Sequence, residues 1–135
     1  MKIAIFRKAH FNAAHRLFNP KWDMEKNKEV FGICANPNFH GHNYEFEVKV
    51  MGELDEDSGM LMDLKVLKEL IEQHVELRYD HKNLNLDLPE FEEKIPTVEN
   101  ICIEIYNILR THIDPQFELQ IRLYETPRNY VEYPV

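Results

Sequence analysis

The sequence predicts an α+β fold in which two helices pack on one face of an antiparallel sheet. Three observations predict it. His42 to Val50 alternates, with His42, Tyr44, Phe46, Val48 and Val50 in one phase and Asn43, Glu45, Glu47 and Lys49 in the other. Phe117 to Leu123 alternates in the same way. Between them lie two windows of helical period, Leu64 to about Leu77 and the run after Pro96-Thr97. The 135 residues suit one domain, 1–135, large enough to bury a core without disulfides.

Residues 2–11 read as the first strand. Ile3, Ile5, Ala9 and Phe11 share a phase that Arg7 interrupts, and a regular continuation through Ala13 puts His15 on the same side. His10 falls in the opposite phase. Arg16 to Ile33 reads as a long, polar, irregular loop, either a binding loop or a solvated insertion. Its Arg16, Lys21 and Lys26 could serve an anionic substrate. After the second strand, Asp55, Asp57, Ser58 and Gly59 supply a turn, and Gly59 to Met62 starts a return strand.

Asp63 is the N-cap of the first helix, on which Leu67, Leu70, Ile71, His74 and Val75 follow the helical period. His74 reads as a helix-face histidine without chemistry. Thr97 caps the second helix, whose apolar stripe includes Ile101, Cys102, Ile105 and Leu109. In the next strand Phe117, Leu119, Ile121 and Leu123 point inward, and the next inward position is Glu125. Burying an unpaired charge is costly, so either the sheet ends there in water or Glu125 meets a partner. Tyr130 to Val135 forms a last short strand. The open sheet edges favour a small oligomer.

Charge and cysteine usage exclude several classes. The net charge of −8 argues against a general nucleic-acid or anionic-membrane binder, both of which need a basic field. Cys34 in a polar loop and Cys102 on an apolar helical face do not suggest a disulfide, which favours a reducing compartment. Charge breaks the first apolar run at once, so no signal peptide or membrane span is expected, and a cytoplasmic location follows.

The chemistry concentrates between Cys34 and Tyr44. In a strand starting near His40, His40 and His42 project from one face, spaced to grip one ion. Two exposed histidines without a ligand are the competing reading. With His15 as a third, the set describes a catalytic zinc site with an open position. Cys34 is a candidate base, and an Asp80-oriented His81 a second acid/base, although adjacent Asp-His pairs are often plain surface residues. Together these suit proton removal beside a carbonyl or hydroxyl whose oxygen a metal holds.

Several blocks, in order, resemble one family. They are Phe11-Asn-Ala-Ala-His-Arg-Leu17, Phe31-Gly-Ile-Cys-Ala-Asn-Pro-Asn-Phe-His-Gly-His-Asn-Tyr44, Asp80-His-Lys-Asn-Leu-Asn85, Pro96-Thr-Val-Glu-Asn100 and Leu123-Tyr-Glu-Thr126. The chain resembles the 6-pyruvoyl-tetrahydropterin synthases and their relatives, the 6-carboxytetrahydropterin synthases of the queuosine pathway. The resemblance implies the T-fold: an antiparallel four-stranded sheet with two helices on one face, closed into a barrel as trimers, two of which stack into a hexamer with active sites between subunits. It implies zinc on His15, His40 and His42, Cys34 as general base, Asp80 and His81 as proton relay, and Glu125 as the pterin anchor. Thr97 and Glu99 would help hold the pterin or the relay. The implied substrate is 7,8-dihydroneopterin triphosphate. The pyruvoyl enzymes eliminate triphosphate, with magnesium helping, and the carboxy enzymes also release acetaldehyde.

The five residues between Cys34 and His40 resemble the pyruvoyl type, whereas many queuosine-pathway enzymes have three. A cupin-type metal dioxygenase fits less well, because two helical windows contradict an all-β barrel. A zinc-stabilised, pterin-binding scaffold without catalysis would need neither Cys34 nor the Asp80-His81 pair.

Overall fold

A computed structural model describes residues 1–135. In chain order its principal elements are β1 (Lys2–His15), α1 (Met24–Phe31), β2 (His40–Glu53), α2 (Leu64–Ile71), α3 (Leu77–Tyr79), β3 (Lys82–Asn83), α4 (Leu84–Asp87), α5 (Val98–Arg110), β4 (Glu118–Tyr124) and β5 (Tyr130–Tyr133).

The sheet order is β3-β1-β2-β4-β5. β1 and β2 pair antiparallel over their full length, from Lys2 opposite Glu53 to His15 opposite His40. β4 pairs antiparallel with the other edge of β2, and β5 with β4. The expected four-stranded antiparallel sheet therefore needs correction to five strands. The fifth, β3, runs parallel to β1 beside Ala13 and Ala14, because the turn after α3 lays Lys82–Asn83 along the end of β1.

One face of the sheet carries Phe11, Tyr44, Phe46, Val48, Val50, Leu119, Ile121 and Leu123, all essentially removed from water. Leu67, Ile71, Val75 and Tyr79 cover it from one side, and Ile101, Cys102, Ile105 and Leu109 of α5 from the other. Each large apolar side chain so buried contributes about 1.5–3 kcal/mol of transfer free energy.

The first helical window spans Leu64 to Tyr79, close to the expected bounds, but it is not one regular helix. A single wide turn, Glu72–Glu76, joins α2 to α3. Its core residues recur at a strict four-residue spacing, which in a pure α-helix would drift by about 40° per step. The wide turn takes that drift back, so Val75 and Tyr79 stay on the core side.

Two further expectations fail. The 16–33 segment is irregular only over residues 16–23; Met24–Phe31 forms α1. Asp23 caps α1 by accepting from the Lys26 N–H, and Trp22 stacks on Phe31. Asn27 is fully buried: its Oδ1 accepts from the Asn19 N–H at 2.7 Å and its Nδ2 donates to the Asn19 and Asp23 carbonyls, each at 3.0 Å. The return strand at Gly59–Met62 is absent. β1 and β4 already occupy both edges of β2. The Asp55 carboxylate instead caps a local turn through the Asp57 and Ser58 N–H groups, and Leu61 drops into the core.

Candidate functional site

The β1–β2 register builds the site. His15 lies directly opposite His40, and Ala13 opposite His42, so His15, His40 and His42 share the face that carries Phe11 and Tyr44. Their ring centroids are 4.6–5.1 Å apart, and one nitrogen of each lies within 4.8 Å of the others. His15 is 1% exposed and forms the floor. Its Nδ1 is 2.8 Å from the Pro96 carbonyl oxygen, just before α5. A carbonyl can only accept, so Nδ1 carries the proton and Nε2 is left bare. The Tyr44 hydroxyl sits 3.3 Å from both His15 nitrogens, its ring stacked on Phe11 at 4.9 Å.

The electrostatics favour the neutral form of His15 and His40. Burial, assisted by the charges His40 and His42 would carry, lowers the His15 pKa from 6.5 to about 4, against the opposing pull of the Pro96 carbonyl. Burial and His42 also lower the pKa of His40, partly offset by Glu125. Burial, with the Glu125 carboxylate, raises that of Tyr44. Three imidazoles with converging nitrogens are a donor set that suits a divalent ion favouring nitrogen ligands.

Glu125 follows the last residue of β4 and is not left in water. Its N–H bonds the Asn129 carbonyl at 3.1 Å across the turn into β5, and its Oε2 reaches to 3.9 Å from His15 Nε2. Cys34 lies in a short turn, Gly32–Ala35, half-buried, with no hydrogen bond on its thiol. The Leu17 N–H donates to its carbonyl at 2.8 Å, so this turn is fastened to the chain just beyond His15.

Asp80 and His81 pair with each other, with Asp80 Oδ2 2.8 Å from His81 Nδ1. Asp80 Oδ1 accepts from the Asn12 N–H at 2.8 Å; that bond, and His81 after it, hold the carboxyl below its ordinary pKa. His81 adopts the left-handed φ of 60° and is 79% exposed. His81 borders an open depression of about 600 Å³ shared with His42, yet no hydrogen bond or ion pair joins the Asp80-His81 pair to the histidines, Glu125 or Cys34. Phe39, just before His40, is the other non-glycine at positive φ, 66°. A bulky residue there is strained.

The Thr97 side chain is engaged as the α5 cap, accepting from the Asn100 N–H at 3.1 Å, so its contact with the site runs through the neighbouring Pro96 carbonyl. Glu99 is exposed on the first turn of α5 and makes no ion pair. His74, read as idle, stacks on His112 with centroids 3.6 Å apart. Tyr44 and Pro96 escaped the sequence reading. Tyr44 continues the phase of His40 and His42, but an aromatic there looks like core, and a backbone carbonyl leaves no signal.

The 6-pyruvoyl tetrahydropterin synthase family model matches residues 4–134. The chain is 41% identical over 129 residues to the 6-pyruvoyl tetrahydrobiopterin synthase of Poecilia reticulata, covering 96% of this chain and 88% of that one. It is 32% identical over 132 residues to the 6-carboxy-5,6,7,8-tetrahydropterin synthase of Bacillus subtilis, covering 92% and 80%. The solved structure of the Caenorhabditis elegans 6-pyruvoyl tetrahydropterin synthase superposes with a TM-score of 0.94 at 37% identity, covering 98% of this chain and 95% of that one. With a family match along nearly its whole length, the chain belongs to the 6-pyruvoyl tetrahydropterin synthase family.

Proposed function

We propose that the chain is a zinc-dependent lyase of the 6-pyruvoyl-tetrahydropterin synthase type, acting on 7,8-dihydroneopterin triphosphate and eliminating triphosphate with proton transfers along the side chain. The observation that carries this reading is the convergence of His15, His40, His42 and the Glu125 carboxylate in one bowl. His15 Nε2 and one nitrogen each of His40 and His42 would hold the ion. A zinc ion there supplies a Lewis acid for an oxygen of the substrate side chain.

The chain's own groups do the rest. Glu125 accepts hydrogen bonds from ring N–H groups of the pterin and fixes its orientation beside the histidines. Cys34, as thiolate, takes a proton from the side chain. Asp80 holds His81 by Nδ1, so Nε2 faces outward as the shuttle. Thr97 keeps the Pro96 carbonyl on His15, and Glu99 offers a second carboxylate near the ring or the relay. Magnesium accompanies the triphosphate.

The relay pair stands apart from its own chain's histidines, and most of the outer edge of β1 is unpaired. Both features support a homo-oligomer in which a neighbouring subunit completes each site, and the arrangement we propose for it is the two stacked trimers that the family resemblance implies. Free cysteines and the acidic charge support a cytoplasmic enzyme without nucleic-acid or membrane partners. No helix is long and apolar enough to cross a membrane.

The second reading is a 6-carboxy-5,6,7,8-tetrahydropterin synthase, supported by the 32% identity to the B. subtilis protein but set behind the 41% identity to a pyruvoyl enzyme. The test is mass-resolved product analysis of the zinc-loaded protein with dihydroneopterin triphosphate. A 6-pyruvoyl product with triphosphate released supports the first reading. A 6-carboxy product with acetaldehyde supports the second. Metal bound without turnover refutes both and leaves a non-catalytic zinc- and pterin-binding protein.

A further inference from the structure

We infer that Arg16 and Asn85 form a clamp that sets the mutual placement of the segments carrying His15, Cys34 and Asp80-His81, and that both are positioning residues for that site. This inference rests on the functional reading above.

Three segments distant in sequence meet at Arg16. The Asn85 side chain brackets its backbone, with Oδ1 accepting from the Arg16 N–H at 2.8 Å and Nδ2 donating to the Arg16 carbonyl at 3.1 Å. The guanidinium reaches the other way, and Nη2 donates to the Ala35 carbonyl at 2.7 Å. The Leu17 N–H takes the preceding carbonyl, that of Cys34. Consecutive residues at the exit of β1 thus hold consecutive carbonyls of the Cys34 turn.

The Asp80–Asn85 stretch is laid along the same ruler. The Asn12 N–H bonds Asp80 Oδ1, and the His81 N–H bonds the Asn12 carbonyl at 2.6 Å. Lys82 and Asn83 pair with Ala13 and Ala14, and Asn85 then closes on Arg16. From residue 12 to residue 17, β1 and its exit fix first the relay pair, then the floor histidine, then the thiol.

The chemistry of the clamp suits placement more than stability. Arg16 stacks on Phe18 at 4.1 Å, and its Nε is buried without a hydrogen-bond partner. A buried unpaired N–H is costly, so an arginine selected only for stability here would be a poor choice. One guanidinium nitrogen reaches the Ala35 carbonyl while the same side chain covers Phe18. His15 does not depend on this arrangement for its ring orientation, because Pro96 sets that independently.

The test compares Arg16→Met, Asn85→Ala and a control, Arg110→Met, in the zinc-loaded full chain. The Arg110 guanidinium likewise bonds backbone carbonyls, those of Ile113, Asp114 and Phe117, but near the far ends of α5 and β4. Five quantities are read: kcat, KM, bound zinc, the unfolding midpoint, and the rate at which iodoacetamide alkylates Cys34, the cysteine that is not fully buried. Each clamp variant is expected to keep its zinc and its KM while kcat falls about 10- to 100-fold, the cost of roughly an ångström of misplacement. The Cys34 alkylation rate is expected to change with it. Arg110→Met should lower the unfolding midpoint and change neither. Asn85→Ser replaces any clamp variant that fails to fold. Clamp variants that lose no more kcat than Arg110→Met, with Cys34 alkylated at the parental rate, overturn the inference. A parent that binds zinc without turnover refutes the functional reading instead, and the alkylation rates then decide on the clamp by themselves.

Discussion

Acidifying the metal-free protein gives a direct reading of the floor histidine. His15 has a folded-state pKa of about 4 against 6.5 for an unhindered imidazole. The folded pKa is the lower one, so the unfolded chain takes up the proton first as pH falls. Stability is unaffected above 6.5, declines as pH drops below it, and levels off below about 4. The whole difference is worth about 3 kcal/mol, and about 2 to 3 kcal/mol of it is lost by about pH 4.5. Against a typical stability of about 5–15 kcal/mol this is a large fraction. The assay is urea unfolding of chelator-treated protein at several pH values, run beside His15→Asn. Carboxylates titrate in both proteins, so the difference in slope isolates the imidazole. The parent should lose about 2 to 3 kcal/mol more than the variant over that range. Equal losses would refute the claim that burial holds His15 neutral. The same neutrality leaves Nε2 ready for a metal, so zinc affinity should weaken as pH falls through the folded-state pKa.

Three further predictions concern single side chains. Cys34→Ala should keep its zinc and lose about 10²-fold or more in kcat, read by steady-state assay and metal analysis; near-normal turnover would remove the thiol from the reaction. Glu125→Gln should weaken pterin binding by about 1.5–3 kcal/mol, the worth of a hydrogen bond to a charged group, measured by titration of a fluorescent pterin. Thr97→Ala should cost about 1 kcal/mol of unfolding free energy through loss of the α5 cap, with pterin affinity nearly unchanged, because its hydroxyl is occupied by the Asn100 N–H.

Much of this architecture could be read in advance, and the failures have physical reasons. β2 and β4 were legible because one face is buried and the other wet, which writes a period of two into the sequence. The same pattern singled out Glu125 as a carboxylate in the buried phase but left open whether water or a partner meets it; the structure puts His15 beside it. β3 was illegible because a two-residue pairing has no pattern. α1 was missed because Asn27, a buried polar residue satisfied by backbone groups, organises its segment, and no apolar stripe marks it. The return strand was expected because Asp55, Ser58 and Gly59 mark a turn whether or not a strand follows. The three histidines were legible from spacing plus register. The Pro96 carbonyl that orients His15, the Cys34 carbonyl that Leu17 holds and the Asn12 N–H that receives the Asp80 carboxylate are backbone groups that any sequence possesses.

The wide turn at Glu72–Glu76 bears on how this chain can change over time. It amounts to one extra residue lodged in a helix, and the residues beyond it, Tyr79 and Asp80, owe their angular position to that count. Exchanging the outward side chains of the turn leaves the count intact. Removing one residue restores a regular helix and swings Asp80 around the axis, away from the Asn12 N–H that receives it. The outward positions of the segment should therefore drift in composition across descendants while Val75 stays apolar and the length stays fixed, a constraint visible in gaps more than in identities.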